Sequence, residues 1–494
     1  MLRRQVLNLL GASVAAGVLS PGLFAQPLDP LRESAKRFAA ARRLHPILAG
    51  WESVKPPGTE RVSASIQGKW PEALRGTLFR NGPGLFERGG QRYQHWFDGD
   101  GLVQAWRIGK SGVSHQSRFV ETPKFKRENK SGRFEVMAAG TTVPNARPVS
   151  GPDDVNTANI SMLHLAGKTY ALWEAGSAFE IDPDTLATIG PRTWRDDLEG
   201  VPFSAHPVYE PDGSIWNAGL FGGRLVIYHV GVNGVLKSAE MIELPRDGYM
   251  HSFTATKSKL VFVLAPLVRV RDAGSYFEGL GWKPELGSLM VVVDKNDLKT
   301  PRFAELAAGA AYHYADAWDE ADGALSLRAC WYDSDAGFIS PMRNYVNGSI
   351  APGPKFSSNW VEITLKRGAK EAQLKRSGIA RVEFPIPTRL GQKSPMILLQ
   401  DSAENAHEGM SAVLSLDANG KPLGHFDFGA NHIVEEQLYV PIAGKRYTLG
   451  TVFNTKKART GLVLMDLDRL ADGPIAQAWL DRAMPLGFHG TFVG

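Results

Sequence analysis

Cysteine is almost absent from this chain of 494 residues, which contains a single one, Cys330. One thiol excludes an intramolecular disulfide. Cys330 lies in the strand-like segment 327–331 between Ala329 and Trp331, and we expect it to be a small buried residue of the core. The fold must then be held together by its core alone.

A strong excess of charge is absent as well. The chain has 56 Lys and Arg against 51 Asp and Glu, a net charge of +5. This is too small to indicate a nucleic-acid partner, although it is compatible with weak attraction to an anionic membrane surface. After the first 25 residues, no uninterrupted apolar run approaches the roughly 18 residues of a membrane-spanning helix.

The first 25 residues have the layout of an export signal. Arg3 and Arg4 precede an uncharged, largely apolar stretch over residues 6–24, and Ala25 is followed by the polar Gln26. The arginine pair resembles a twin-arginine signal, but no Ser or Thr precedes it, so a general secretory signal or an uncleaved anchor is the alternative. We expect an exported, periplasmic protein that folds and acquires its cofactor before export.

Turn residues are abundant, with 52 glycines and 31 prolines, which favours short strands over long helices. Seven strand-like segments each run into a turn rich in Asp, Asn or Gly, at intervals of roughly 48 to 74 residues. They are residues 105–108, 179–181, 225–230, 290–293, 360–365, 413–416 and 462–465.

Seven hairpins at nearly even intervals predict an all-β, single-domain, seven-bladed β-propeller, with loops and short helices capping one face. We assign the signal peptide to residues 1–25, an N-terminal arm with a short helix (31–43) to residues 26–75, and the propeller to residues 76–494. An irregular array of β-sandwiches with a coincidental hairpin count is the alternative.

Four of the twelve histidines lie at the ends of predicted strands in aromatic, apolar surroundings. The gaps between them, 45, 62 and 176 residues, match no local zinc motif, but a closed ring of sheets would bring them to one axis. Four imidazoles without a carboxylate suit a divalent transition metal such as iron, copper, nickel or zinc. These residues are His206, His251, His313 and His489.

The motifs around these histidines resemble those of the carotenoid cleavage oxygenases, a family that includes retinoid isomerohydrolase and the lignostilbene dioxygenases. Residues 76–84 (GTLFRNGPG) and 95–101 (HWFDGDG) are similar to the opening signature of the family. Each histidine segment resembles one of its four iron-ligand segments, in the same order, and the resemblance covers about residues 50–494. It implies a seven-bladed propeller with one Fe(II) per chain on its axis, held by His206, His251, His313 and His489.

The resemblance also implies three glutamates that accept the free ring N–H groups of the ligands and so fix their tautomer and orientation. These are Glu174, Glu383 and Glu436, and Glu435 competes with Glu436 as the third. His95 belongs to the opening signature but not to the ligand set, and we expect it to organise a turn.

What the family implies is an oxidoreductase, a dioxygenase that uses O₂ as co-substrate and cleaves a conjugated C=C bond of a lipophilic polyene. The metal site alone would carry the chemistry, with no further catalytic residue. Carotenoids or apocarotenoids, cleaved to aldehydes or ketones, are the expected substrates. Stilbene cleavage is the alternative, and isomerase or hydrolase chemistry is a further one.

Stilbene cleavers of the family use a tyrosine and a lysine to hold the phenol. An approximate alignment places Phe119 and the pair Asp153–Asp154 near these positions, which favours the polyene. Two other classes stay open at this point, a non-catalytic metal-binding propeller and a zinc or copper enzyme.

Residues 264–282 combine apolar and aromatic side chains with Arg269 and Arg271. They predict either an apolar lip that takes a lipid-soluble substrate from a membrane or a segment that packs over the propeller. The sequence does not indicate an oligomeric state.

Overall fold

The computed structural model describes residues 29–272, 274–335, 340–350, 357–401 and 409–494. The predicted signal peptide lies outside the described residues. The described chain contains two α-helices, Pro30–Leu44 and Pro123–Ser131, and no helix in it is long and apolar enough to cross a membrane. The first helix, N-capped by the side chain of Asp29, confirms the helix predicted over residues 31–43.

Antiparallel strand pairing sorts the remaining chain into seven sheets around an axis, which confirms the predicted seven-bladed propeller. Blade 1 runs outward through Gly490–Val493, Gly76–Arg80, Asp100–Gly109, Gly112–Phe119 and Gly58–Ser63, and Pro83–Leu85 also pairs with its third strand. Blade 2 comprises Ser161–Leu165, Lys168–Leu172, Ala178–Ile181 and Thr188–Arg192. Blade 3 comprises Val208–Tyr209, Ile215–Phe221, Arg224–Val230 and Leu236–Glu243. Blade 4 comprises Thr254–Ala255, Lys259–Leu264, Ser288–Asp294 and Asp297–Leu306.

The other three blades follow the same plan. Blade 5 comprises Tyr314–Asp319, Leu325–Trp331, Asn359–Leu365 and Gln373–Ala380. Blade 6 comprises Val382–Pro387, Met396–Gln400, Ala412–Leu416 and Pro422–Asp427. Blade 7 comprises His432–Ile442, Lys445–Asn454, Arg459–Asp466, Pro474–Trp479 and Ser65–Gly68. Two small ribbons, Leu267–Arg269 with Leu280–Trp282 and Glu87–Arg88 with Gln91–Arg92, stand outside the blades.

All seven predicted hairpins join the third strand of a blade to its fourth strand. These turns lie at the outer part of each blade, where the chain reverses tightly in water. Gly234 and Gly420 adopt the positive φ angles, 73° and 83°, that such turns require. The seven-fold signal in the sequence is therefore the outer turn of each blade.

Both ends of the chain close the ring. The C-terminal strand Gly490–Val493 is the innermost strand of blade 1, whereas Ser65–Gly68 and Gly58–Ser63 are the outermost strands of blades 7 and 1. The segment assigned to an N-terminal arm thus contributes two strands to the propeller. Closure from both ends leaves only short sheet edges exposed.

The core lies between the blades, because each sheet is covered on both faces by its neighbours. Every residue of the strand Leu325–Trp331 is buried, as expected for a strand covered on both sides. Cys330 within it is 0% exposed and packs with apolar residues of blade 6, as the sequence predicts. The inner strands of most neighbouring blades contact one another around the axis.

The predicted lip at residues 264–282 forms a ribbon beside the propeller. Leu267 is buried, and Phe277 contacts the rings of His95 and Phe97, so part of the segment packs over the axis. Val270 and Tyr276 are 51% and 42% exposed.

Candidate metal centre

The four predicted metal ligands lie at one end of the axis. Each precedes the innermost strand of its blade by one to three residues, in blades 3, 4, 5 and 1. The innermost strands begin at the same end of the ring, so their starts converge although the residues are far apart in the chain. The four are His206, His251, His313 and His489, and one ligand nitrogen from each lies within 4.8 Å of the others.

The Nε2 atoms form two close pairs. His206 Nε2 lies 2.9 Å from His251 Nε2, and His313 Nε2 lies 3.1 Å from His489 Nε2. Metal–nitrogen bonds of about 2.1 Å place two ligand nitrogens about 3 Å apart when they meet near a right angle at the ion. The spacing of the imidazoles therefore fits a single transition-metal ion.

The remaining three blades each supply one of the predicted glutamates. Glu383 and Glu436 lie on the innermost strands of blades 6 and 7, and Glu174 follows the second strand of blade 2. Neighbouring strands are antiparallel, so the end of a second strand meets the start of the first. Every blade thus contributes one histidine or one glutamate to the centre.

Each glutamate accepts a hydrogen bond from the Nδ1 atom of one histidine. Glu174 contacts His251 at 2.7 Å, Glu383 contacts His313 at 2.6 Å, and Glu436 contacts His489 at 2.8 Å. Among the described residues, no carboxylate makes such a contact with the fourth ring, that of His206.

These contacts fix the tautomer of three imidazoles. A carboxylate accepts hydrogen bonds, so the Nδ1 atom beside it carries the proton and Nε2 keeps its lone pair. The lone pairs of His313 and His489 then face each other across 3.1 Å. Two facing lone pairs repel unless a cation lies near both of them, so the donor set suits a metal ion.

Lowered pKa values keep two of the four rings, those of His206 and His489, neutral. Burial lowers the pKa of His206 well below its ordinary value, and the other three histidines lower it further. Burial likewise lowers the pKa of His489 to about 4, although Glu436 opposes the shift. Neutral imidazoles are the form that binds metals, so these two rings can bind a cation at neutral pH.

Further side chains hold the glutamates in place. The hydroxyl of Tyr249 donates to Glu174 at 3.0 Å, and that of Tyr332 donates to Glu383 at 2.7 Å. Arg80 donates to Glu436 at 3.3 Å and to Glu435 at 3.2 Å.

Neighbouring charges and hydrogen bonds lower the pKa of the Glu436 carboxyl group. Burial raises the pKa of Glu436, but His489, Arg80 and the backbone N–H of Gly490 outweigh burial, so the pKa lies below its ordinary value. This carboxylate is therefore ionised at neutral pH and can hold the ring of His489.

β-Bulges aim the site residues. The register of the innermost strand shifts between Tyr314 and Ala317 in blade 5, just after His313, and between Glu383 and Ile386 in blade 6. Phe384 has a φ of 52°, unusual for a residue with a side chain, and its ring stacks on His313 at 5.0 Å. The bulges point a ligand, a carboxylate and an aromatic ring at one centre.

Four residues that hold or contact the site were not predicted from the sequence as site residues: Arg80, Tyr249, Tyr332 and Phe384. The available signal was the opening signature, which contains Arg80 and the neighbouring Asn81. Asn81 exchanges backbone hydrogen bonds with the segment 488–489, including 2.9 Å from its N–H to the carbonyl of His489. The signature thus positions His489 and Glu436.

His95 organises a turn, as the sequence predicts. It precedes the 3₁₀ turn Trp96–Asp98, and its Nδ1 accepts a hydrogen bond from the N–H of Phe97 at 3.2 Å. Asn159 donates to the carbonyls of Phe97 and Gly99. This turn fixes two rings, those of Trp96 and Phe97, at the wall of a cavity.

A cavity reaches the metal centre and opens to solvent, and its empty space together with its mouth is about 830 Å³. Its wall includes three of the four histidines, His251, His313 and His489, and is otherwise mostly apolar. Its aromatic members are Trp96, Phe97, Tyr312, Phe384 and Phe488. Its lining suits an apolar small molecule.

The residues compared with the phenol-holding pair lie elsewhere. Phe119 is buried in the core and stacks on Phe125, while Asp153 binds Ser177 and Asp154 pairs with Arg127. These positions therefore carry no argument about the substrate. The cavity wall is informative about the substrate, because none of the described residues that line the cavity is a lysine or arginine.

Several known proteins are similar to this chain over most of its length. A family model described as retinal pigment epithelial membrane protein (RPE65) matches residues 51–494. Apocarotenoid-15,15'-oxygenase of Synechocystis sp. is 26% identical, over 90% of this chain and 95% of the relative. Isoeugenol monooxygenase of Pseudomonas nitroreducens is 25% identical, over 87% of this chain and 94% of the relative.

A solved structure shares the fold. The crystal structure of a lignostilbene dioxygenase from Pseudomonas brassicacearum matches with a TM-score of 0.78 and 22% identity, covering 88% of this chain and 95% of the other.

Proposed function

The chain belongs to the carotenoid cleavage oxygenase family, and on that premise we propose that it is a non-haem Fe(II) dioxygenase that cleaves a conjugated C=C bond of a carotenoid or apocarotenoid. The observation that carries the proposal is the convergence of four imidazoles on one point at the wall of an apolar cavity. The similarity to apocarotenoid-15,15'-oxygenase over nearly its whole length supports the substrate class.

His206, His251, His313 and His489 would hold the ion, and Glu174, Glu383 and Glu436 would orient three of them. Bound Fe(II) would supply the electrons that O₂ requires in order to react with an alkene, which zinc does not. Both oxygen atoms of O₂ would enter the two carbonyl products, so the overall reaction needs neither an external reductant nor a general base.

The protein contributes binding, orientation and exclusion of water. Trp96, Phe97 and Phe488 form an aromatic wall, with ring centroids of Phe97 and Phe488 5.3 Å apart. An extended polyene lying along this wall would present one double bond to the metal end of the cavity. Two carboxylates of the wall, Glu174 and Glu383, are occupied in holding His251 and His313.

The experiment is anaerobic loading with iron, followed by metal analysis and product analysis with β-apocarotenal and a hydroxystilbene side by side. We expect one iron per chain and two carbonyl products from β-apocarotenal in the presence of O₂. A loaded protein that cleaves neither compound would contradict the proposal. A protein without stoichiometric metal would instead indicate a non-catalytic propeller.

Cleavage of a phenolic alkene is the second candidate. The full-length similarity to isoeugenol monooxygenase, an enzyme named for a phenolic substrate, favours it. The absence of a cationic side chain from the described cavity wall is the observation against it. Products from the hydroxystilbene alone would decide for this candidate.

We further propose that the protein is exported to the periplasm through the twin-arginine route and contacts membrane through residues 264–282. Export by this route is supported by Arg3 and Arg4, which precede an uncharged stretch. Membrane contact is supported by the exposed side chains of Val270 and Tyr276. Arg3→Lys with Arg4→Lys should retain the protein in the cytoplasmic fraction. Val270→Ser with Tyr276→Ser should weaken sedimentation with anionic vesicles, and an unchanged bound fraction would contradict membrane contact.

A further inference from the structure

A fourth glutamate lies at the site and contacts no histidine. Glu435 is 8% exposed and lines the cavity beside Gly487. Glu383 and Glu436 each use both carboxylate oxygens within the protein. Glu174 holds His251. Glu435 therefore has a position at the cavity without the histidine-orienting role of the others.

A β-bulge explains why two consecutive glutamates reach the same place. Successive side chains of a regular strand point to opposite faces. In blade 7 the register shifts between Val434 and Gln437, so that one extra residue is inserted where Glu435 and Glu436 lie. Both carboxylates can then contact the same buried guanidinium, that of Arg80.

The two oxygens of Glu435 have different surroundings. Oε1 accepts hydrogen bonds from Arg80 at 3.2 Å and from the N–H of Gly487 at 2.7 Å. Oε2 has no hydrogen-bond partner among the described residues. This oxygen is free to accept a hydrogen bond from a molecule in the cavity, and hydrogen bonds to charged groups are stronger than those between neutral groups.

We propose that Glu435 is a specificity-determining residue whose free oxygen accepts a hydrogen bond from a hydroxyl group of the substrate. The inference rests on the proposed function and narrows its substrate class to a conjugated alkene that carries a hydroxyl. The rest of the wall is mostly apolar, so the molecule is otherwise apolar. A ring-hydroxylated apocarotenoid and a hydroxystilbene both offer such a group. A site built to bind a hydroxyl discriminates against the analogue that lacks it.

The test uses two matched pairs of compounds, β-apocarotenal with its ring-hydroxylated counterpart and stilbene with 4-hydroxystilbene. We expect kcat/KM of the iron-loaded protein to favour the hydroxylated member of one pair by about 10-fold or more, as for a hydrogen bond to a charged group. Glu435→Gln should reduce that ratio several-fold, and Glu435→Met should bring it close to one. The pair whose ratio exceeds 1 and falls in the variants shows whether the hydroxyl belongs to an apocarotenoid or to a stilbene. Glu60→Gln, an exposed change of the same kind, should leave the ratio unchanged.

A binding measurement separates this inference from the proposed function. Quenching of tryptophan fluorescence by each compound, with Trp96 at the wall, reports affinity without turnover. A wild-type protein that binds the hydroxylated member no better, or variants that weaken both members equally, would show that Glu435 merely holds Arg80 and Gly487. Failure to cleave any compound would overturn the proposed function, whereas the binding ratio would still decide the role of Glu435.

Discussion

The Nε2 atoms of His313 and His489 lie 3.1 Å apart, although 176 residues separate them, and each ring donates its Nδ1 proton to a different glutamate. The two carboxylates come from blades 6 and 7, and the two histidines come from blades 5 and 1. Four blades thus turn two lone pairs toward one point, which is favourable only when a cation occupies it.

His313→Ala removes one of these lone pairs. We expect the iron content to fall well below one per chain and cleavage to fall to background, because three imidazoles and a void replace the donor set. Metal analysis after anaerobic loading, together with product formation, measures both. Alanine at the exposed His425 position is a control that should change neither. Full iron content together with full activity in the His313→Ala protein would show that His313 is not a metal ligand.

Glu383→Gln keeps the size of the side chain but removes the charge that holds the Nδ1 proton of His313. Loss of such a partner typically weakens metal binding or activity by about 10- to 100-fold. Competition with a chelator should reveal a correspondingly lower iron affinity. Glu371→Gln, on the exposed surface, provides the comparison. Equal affinities in the two variants would mean that the Glu383 contact does not tune the histidine.

Gly140→Ala tests the turn beneath the cavity wall. A Cβ atom at residue 140 would lie 2.2 Å from the ring of His95, which is fully buried and cannot move aside. We expect unfolding free energy to fall by about 1–3 kcal/mol, as for other overpacked cores, with a loss of kcat/KM as Trp96 shifts. Urea unfolding and kinetics measure the two effects.

The matched control for this change is Gly151→Ala, because a Cβ there meets no atom within 4 Å. It should match wild type in both measurements. If Gly140→Ala behaves like Gly151→Ala, the turn at His95 does not constrain the cavity wall.

The buried ring of His115 makes the stability of the fold depend on pH, independently of the metal. Burial lowers its pKa to about 3, with Arg482 and Arg107 adding to the shift. The unfolded chain, with an ordinary pKa near 6.5, therefore takes up the proton first, and stability falls as the pH drops from about 6.5 toward 3. Between pH 8 and pH 5 this loss amounts to about 2 kcal/mol.

The metal-free His115→Gln protein should lack this part of the decline. Urea unfolding of both metal-free proteins at pH 8 and pH 5 would show the difference in slope. Parallel declines would mean that His115 is not responsible.

The outer turn of each blade could be predicted from the sequence because its signal is local. A turn such as residues 417–420 carries its Asp, Asn and Gly within a few positions, and seven such turns define seven blades. The four histidines share aromatic, apolar neighbours, and the resemblance of their segments to the iron-ligand segments of the family singled them out.

The pairing of glutamates with histidines was decided only by the tertiary structure. The sequence left Glu435 and Glu436 as competitors for the third position. In a regular strand, alternation would allow just one of them to face the site. The bulge in blade 7 turns both inward, giving one to His489 and the other to the cavity. Bulges, and contacts such as that of Arg80 with Glu436 across 356 positions, arise when the ring closes. Local chemistry therefore determined which residues could serve the site, and closure of the propeller determined which of them meet.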